Sequence, residues 1–151
     1  MPDYDDAWHE DWYRRMDEGG GNIIASMRMR MVEEGPDRVV MSLPMGPAVR
    51  QGTGVFAAGA LMQLADVGAT SLYFNALRAD GVEQPPFPLS IQISVNLIRN
   101  TNTGSATSES RFLHRGRSLI VVESRVTGED GRLLCTVTST HVPSPRPPAQ
   151  G

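Results

Sequence analysis

QGTGVFAAGALMQLADVGATSLYFN, residues 51–75, is the stretch whose reading decides the fold. From Val55 to Leu77 the one charged residue is Asp66, near the middle of a run of apolar and small residues. The run predicts a long helix starting near Gly54 or Val55. A helix that is apolar on almost every face must be wrapped by the rest of the protein. A carboxylate there is costly to bury unless hydrogen bonds or opposite charges replace its lost water. Gln63, Asp66 and Thr70 stand at i−3, i and i+4, so they share one polar stripe, and Thr70 is placed to hold Asp66 by a hydrogen bond. A structural Asp66, satisfied by neighbouring N–H groups or an arginine, is the competing reading.

At the front of this helix, Ala57-Ala58-Gly59-Ala60 forms a first turn without bulky side chains. Its free backbone N–H groups, reinforced by the helix dipole, suit a developing oxyanion. Asp66 follows two turns later, roughly 10–13 Å along the axis. One substrate carbonyl cannot touch both ends of that span. A site that uses both therefore needs two antiparallel copies of the helix across a dimer interface.

Outward from the helix the chain is mostly strand. Met27, Met29 and Met31 alternate with Arg28 and Arg30 in SMRMRMVE, residues 26–33, the period-two pattern of a half-buried strand. EGPD turns, and Val39, Met41 and Leu43 alternate in the next strand, so the two form a hairpin. The methionines read as sheet core, not a metal or cofactor box. After the loop RADGVEQPPFP, Ile91, Ile93, Val95 and Leu97 alternate with polar residues, and SATSESRFLHR, LIVVESRVT and RLLCTVTSTHV follow, separated by turns. Residues 1–22 read as an amphipathic helix over 3–17, docking through Trp8, Trp12 and Met16, with a Gly-rich linker. On it, His9 reads as a solvated surface residue. Residues 23–142 form the main domain, and the Pro-rich residues 143–151 read as a disordered tail.

At 151 residues with 40% apolar and 21% charged content, this is one globular domain with a real core. No basic stripe points to nucleic acid. The single cysteine, Cys135, excludes an internal disulfide framework and a cysteine-cluster metal site. The acidic start, MPDYDDAWHEDWYRR, is unlike a signal peptide, and the polar residues within the central run argue against a membrane span. The cytoplasm is the expected compartment. His114 and His141 have no acidic partner at a telling spacing, and Ser118 lacks the glycine pattern of a nucleophile elbow.

Together these features resemble the hotdog-fold thioesterases, especially the phenylacetic-acid-pathway (PaaI-like) branch. Gln51 matches the family's amide, Ala57-Ala58-Gly59 occupies its His-Gly-Gly turn and Asp66 matches its helix acid. Thr70 matches the helix threonine of the hydroxybenzoyl-CoA branch. The likeness continues through SIQISVNLIRNTNTG and RGRSLIVVESRVTGEDGRLLCTVTST, covering about residues 25–142. It implies an α+β hotdog fold, with an antiparallel sheet of about six strands wrapped around one long helix and a short N-terminal helix alongside. Sheets of two subunits would join into one, commonly as a dimer of dimers, with the site at the interface.

The implied activity is hydrolysis of acyl-CoA thioesters without metal or redox cofactor. Asp66 would serve as general base or nucleophile, the Ala58 N–H with help from Gly59 would polarise the carbonyl, Gln51 would orient carbonyl or water, and Thr70 would assist Asp66. The acyl group would lie between the central helix and the sheet of the neighbouring subunit, with Phe56, Met62 and Tyr73 either shaping that pocket or belonging to the core. Arg115 and Arg117 in the turn His114-Arg115-Gly116-Arg117, and Arg99 at its strand end, would lie near the CoA phosphates, with solvated surface arginines as the competing reading. The motif histidine is Ala57 here and the first glycine is Ala58. Alanine still presents an N–H, so the departure bears on rate and substrate. It is also the feature that favours a second reading, a non-catalytic hotdog module binding acyl-CoA or a related ligand. A hotdog dehydratase or hydratase would need a catalytic histidine paired with an acid, or an Asp and His on a hydratase loop, and the sequence presents neither pattern.

Overall fold

Residues 2–145 are described by a computed structural model of the chain. Two short helices, α1 (Asp6–Glu18) and α2 (Ile23–Ser26), precede the hairpin β1 (Arg30–Glu34) and β2 (Val39–Pro44). The long helix α3 (Ala58–Ala79) follows, and then β3 (Pro88–Leu97), β4 (Ser105–Arg115), β5 (Ile120–Thr127) and β6 (Leu133–Pro143). All five strand pairings are antiparallel, in the order β1-β2-β4-β5-β6-β3, so β1 and β3 are the free edges. The sheet wraps α3. The expected α+β architecture, its hairpin and its long helix are all present.

The helix starts three to four residues later than the apolar run suggests. Val55 and Phe56 are held in the preceding loop: the Val55 carbonyl accepts from Gln51 N, Phe56 N donates to Thr101 O, and Ala57 N donates to Val49 O. Asn100 Nδ2 also donates to the Phe56 carbonyl at 2.8 Å. Those backbone groups cannot join the helix, so Ala57 is its extended N-cap. One face of α3 buries Leu61, Leu64, Ala65, Gly68, Leu72 and Ala76 against the sheet. At Gly68 the approach is so close that a Cβ would stand 2.7 Å from Ser110 Oγ. Small serines fill the sheet beneath: Ser110 and Ser124 share a 2.7 Å hydrogen bond, and Ser124 Oγ also reaches Ala65 O.

The segment read as a strand from residue 26 is a strand only from Arg30. Asn22 caps α2 by accepting from Ile24 N at 2.8 Å, and Arg28 turns the chain with φ of 57°. Met29 and Met31 are buried, while Met27 is half-buried. In the hairpin partner, Val39, Met41 and Leu43 are fully buried, as their alternation predicts. The apolar residues of β3 differ. Leu89, Ile91, Ile93 and Leu97 remain exposed on a free edge, with a bulge between Ser90 and Gln92.

Helix α1 is capped by Asp5, whose carboxylate accepts from Trp8 N at 2.8 Å. It lies along the outer edge of β1 and satisfies backbone groups near and on that edge: Tyr13 Oη donates to Met29 O at 2.6 Å, and Met31 N donates to His9 Nε2 at 3.0 Å. His9 is therefore 1% exposed, not the solvated residue expected. A helix that looks amphipathic through its tryptophans in fact docks through a polar anchor as well. At the other end of the chain, β6 runs to Pro143 and Ser144 N donates to Phe87 O, so the expected tail begins as ordered chain. The rest of that segment, from residue 146, lies outside the described residues.

Candidate active site

Gln63, Asp66 and Thr70 share one face of α3, as their spacing predicts, and all three border a cleft of about 650 Å³. Its opposite wall is α1, through Trp8, Trp12, Arg15 and Met16. Phe74 and Arg78 extend the α3 side, with Phe87 from the loop before β3. The size suits a small-molecule site, and the lining is mostly apolar and aromatic around a few polar groups.

The partner that holds Asp66 is not Thr70. Ser90 Oγ donates to Asp66 Oδ1 at 2.6 Å, and the same oxygen lies 3.2 Å from His141 Nδ1. A hydroxyl on β3 therefore occupies the role that helix spacing assigned to Thr70. Such a bond leaves Oδ2 free to face the cleft.

At the head of α3, no side chain caps the helix, and the N–H groups of Ala58 and Gly59 have no hydrogen-bond partner among the described residues. Both residues are exposed, and a Cβ on Gly59 would meet open space. The expected oxyanion donors are thus accessible. They stand eight and seven residues from Asp66, about 11–12 Å along the axis, and neither borders its cleft. Gln51 lies in the exposed loop before the helix, where its side chain accepts from Thr53 N at 3.0 Å and donates to Thr53 Oγ1 at 2.7 Å. Within one chain the structure brings together Asp66, Gln63 and Thr70, and leaves Gln51, Ala58 and Gly59 apart from them.

The arginines are also divided. Arg115 is tied to the end of α3, donating to Ala76 O at 3.0 Å and pairing with Asp80. It borders a second cleft of about 570 Å³ with Arg117. Arg99 is exposed beyond the end of β3, its N–H bonded to Leu134 O. None of the three borders the Asp66 cleft, whereas Arg15 and Arg78 do. Phe56 is fully buried core, Tyr73 borders the second cleft and Met62 borders neither. Trp8, Trp12, Phe74 and Phe87 line the Asp66 cleft.

Ser90 and His141 escaped the sequence reading because they meet only through strand pairing. His141 stands opposite Ser90 in the β3–β6 register. It is fully buried, and burial holds its imidazole below the ordinary histidine range, with the Asp66 charge pulling the other way. Cys135 is inert by the same physics: burial pushes its thiol up to about 11, leaving almost no nucleophilic thiolate near neutral pH.

Among the described residues no helix is long and apolar enough to cross a membrane. Comparison with known proteins matches residues 53–135 to the model of the thioesterase superfamily. The 1,4-dihydroxy-2-naphthoyl-CoA hydrolase of Escherichia coli is 25% identical over 119 residues, 78% of this chain and 83% of its own. A thioesterase structure from Haemophilus influenzae superposes with a TM-score of 0.79 at 16% identity, covering 94% of each chain. A hypothetical thioesterase protein of Streptococcus pneumoniae, solved with coenzyme A, gives a TM-score of 0.68 at 18% identity, covering 77% of this chain and 88% of its own. The family match spans more than half of the chain and agrees with the wrapped central helix, so this protein belongs to the thioesterase superfamily and has the hotdog fold.

Proposed function

We propose that this chain hydrolyses acyl-CoA thioesters to a free acid and CoA, as a PaaI-like enzyme acting in the cytoplasm. The observation that carries the reading is Asp66: a carboxylate fixed through one oxygen by Ser90 and presented to a 650 Å³ cleft. As general base, Asp66 takes a proton from water while the water oxygen attacks the thioester carbonyl carbon. The carbonyl oxygen becomes an oxyanion, met by the N–H groups of Ala58 and Gly59. The C–S bond then breaks and the CoA thiolate leaves without needing a strong acid. Direct attack by Asp66 as nucleophile would use the same geometry.

Ala58 and Gly59 lie too far along α3 to serve the Asp66 of their own chain, so the reading includes a homodimer. The exposed apolar edge of β3 supports it: unpaired backbone groups beside Leu89, Ile91, Ile93 and Leu97 suit pairing with a second copy. Antiparallel pairing there would bring Gln51, Ala58 and Gly59 of one subunit toward Asp66 of the other, with Gln51 orienting the carbonyl or the water. A dimer of dimers is the proposed final assembly. The acyl group would occupy the cleft between α1 and α3, against Trp8, Trp12, Phe74 and Phe87. Exposed Arg99 and Arg117 remain proposed phosphate contacts, with Arg115 braced by Asp80.

The test is thiol release over a panel of aromatic, short-chain and long-chain acyl-CoAs. Catalytic turnover supports the reading. Binding without release of thiol by any member would favour the non-catalytic module, the alternative suggested by alanine at position 57.

A further inference from the structure

The cleft beside Asp66 has a polar far end that hydrolysis itself does not use. From Asp66 it follows α3 past Thr70 and Phe74 to Asn75 and Arg78 in the last turns of the helix. Asn75 stands about 13 Å beyond Asp66 along the axis and Arg78 about 18 Å. Asn75 is half-buried, and its Nδ2 is closed off from solvent without a hydrogen-bond partner among the described residues. A buried donor left unpaired is destabilising, and an acceptor brought by a ligand removes that cost. We propose that this end of the cleft binds a carboxylate at the distal end of the acyl group, so that the preferred substrates are CoA half-thioesters of dicarboxylic acids with an apolar spacer. The proposal rests on the thioesterase reading above.

Besides Asp66, the charged residues on the cleft are Arg15, Glu34 and Arg78. Glu34 accepts from Tyr4 Oη at 2.9 Å, and Arg15 Nε lies 3.1 Å from Asp11 Oδ2. Arg78 forms no ion pair among the described residues, because the nearby Asp80 is taken by Arg115. Its guanidinium instead lies 5.6 Å from the centre of the Phe74 ring, on the wall of the cleft. The long arginine side chain leans back toward the start of the helix, and so toward Asn75. A cation in the last turn of α3 also complements the helix dipole. That role accounts for Arg78 but not for an unpaired amide one turn before it.

A carboxylate fits this pair of donors better than a hydroxyl does. Its two oxygens can accept from Asn75 and Arg78 at once, and both bonds gain from its charge. Arg78 is exposed, so water screens its share, and the half-buried amide makes the more sheltered contact. Between Asp66 and this end the walls are aromatic: Phe74 and Phe87 meet edge to face at 5.9 Å, and Trp8 and Trp12 lie 5.2 Å apart. The spacer must therefore be apolar. A diacid too short to cover about 13 Å would leave its charge among these rings, where it loses water and gains no donor.

Paired substrates test this. Decanoyl-CoA and sebacyl-CoA have the same chain length and differ in the distal carboxylate. Thiol release should favour sebacyl-CoA by about tenfold or more in kcat/KM, the scale of a hydrogen bond to a charged group, mainly through KM. Asn75→Leu and Arg78→Gln should each lower that preference, and Arg78→Lys, which keeps the charge, should preserve more of it than Arg78→Gln. A native protein with no preference for sebacyl-CoA overturns the proposal, and so does a preference that neither Asn75→Leu nor Arg78→Gln reduces. The second readout needs no turnover. Trp8 and Trp12 are the two tryptophans of the chain and both line the cleft, so their fluorescence reports its filling. Monomethyl sebacate, whose neutral ester stands in for the thioester, should bind more tightly than methyl decanoate, and Asn75→Leu should narrow the difference. Equal binding of the two esters overturns the proposal. A protein inactive on every acyl-CoA but selective for monomethyl sebacate would instead overturn the thioesterase reading and leave the carboxylate site standing.

Discussion

His9 Nε2 accepts the backbone N–H of Met31 at 3.0 Å, so a side chain of the N-terminal helix closes a backbone bond on the free edge of the sheet. The other ring nitrogen is bonded to Asp5 O at 2.7 Å, which makes Nδ1 the donor and Nε2 the acceptor. Because α1 also walls the cleft through Trp8 and Trp12, this bond couples edge protection to the shape of the site. His9→Leu should leave a buried N–H unpaired and cost about 1–3 kcal/mol of stability, measured by urea unfolding. KM should rise as the wall loosens. An unchanged midpoint would show that α1 is held by its aromatic contacts alone.

Acid should destabilise the protein through His141. Its folded pKa lies below the ordinary value, so the unfolded chain takes up a proton that the folded chain resists. Stability is therefore full above the unfolded histidine value of about 6.5, and falls as pH drops through it toward the lowered folded value. The melting temperature should decline from about pH 7 to about pH 5, and His141→Asn should flatten that decline. A slope identical in the variant would assign the acid sensitivity to other groups.

Of the glycines of α3, Gly68 is where helix and sheet approach most closely. A Cβ there would stand 2.7 Å from Ser110 Oγ, and Ser110 is itself held by Ser124 at 2.7 Å. Gly68→Ala gains helix propensity worth about 1 kcal/mol, but should lose about 1–3 kcal/mol to overpacking. Thermal unfolding should show no net gain. Gly68→Ala combined with Ser110→Gly should recover part of the loss. A simple rise in melting temperature for the single variant would show that the serine pair yields.

How much of this was legible in the sequence follows from the range of each interaction. Val39, Met41 and Leu43 announce a strand because their alternation reports burial directly. The apolar run around Asp66 announces the central helix for the same reason. Its first residue was not legible, because Phe56 and Ala57 are recruited by Thr101 and Val49 through loop contacts. Ile91, Ile93 and Leu97 carry an equally clear alternation, yet they are exposed in a single chain. Periodicity reports an apolar face, not what covers it. The stripe of Gln63, Asp66 and Thr70 was legible from helical spacing. Ser90 and His141 were not, since 24 and 51 residues separate the bonded partners. Only the strand register brings them together.

The β3 edge should control assembly. Ile91 is 60% exposed, and Ile91→Lys places a charge where a second sheet would pair. Light scattering should show the variant as a monomer, and thiol release should fall with it, because Ala58 and Asp66 would no longer share a site. A monomeric variant with full activity would contradict an interface site.

Asp66→Asn tests the central claim most directly. The amide oxygen can still accept from Ser90, so the hydrogen bond at 2.6 Å in the native chain has a neutral counterpart and the fold should persist. What the variant lacks is a base. With an acyl-CoA that the native protein turns over, thiol release should drop by roughly 10²–10⁴-fold in kcat, the range expected when a general base is removed, while the variant unfolds near the native temperature. A folded Asp66→Asn protein releasing thiol within a few-fold of the native rate would contradict the account.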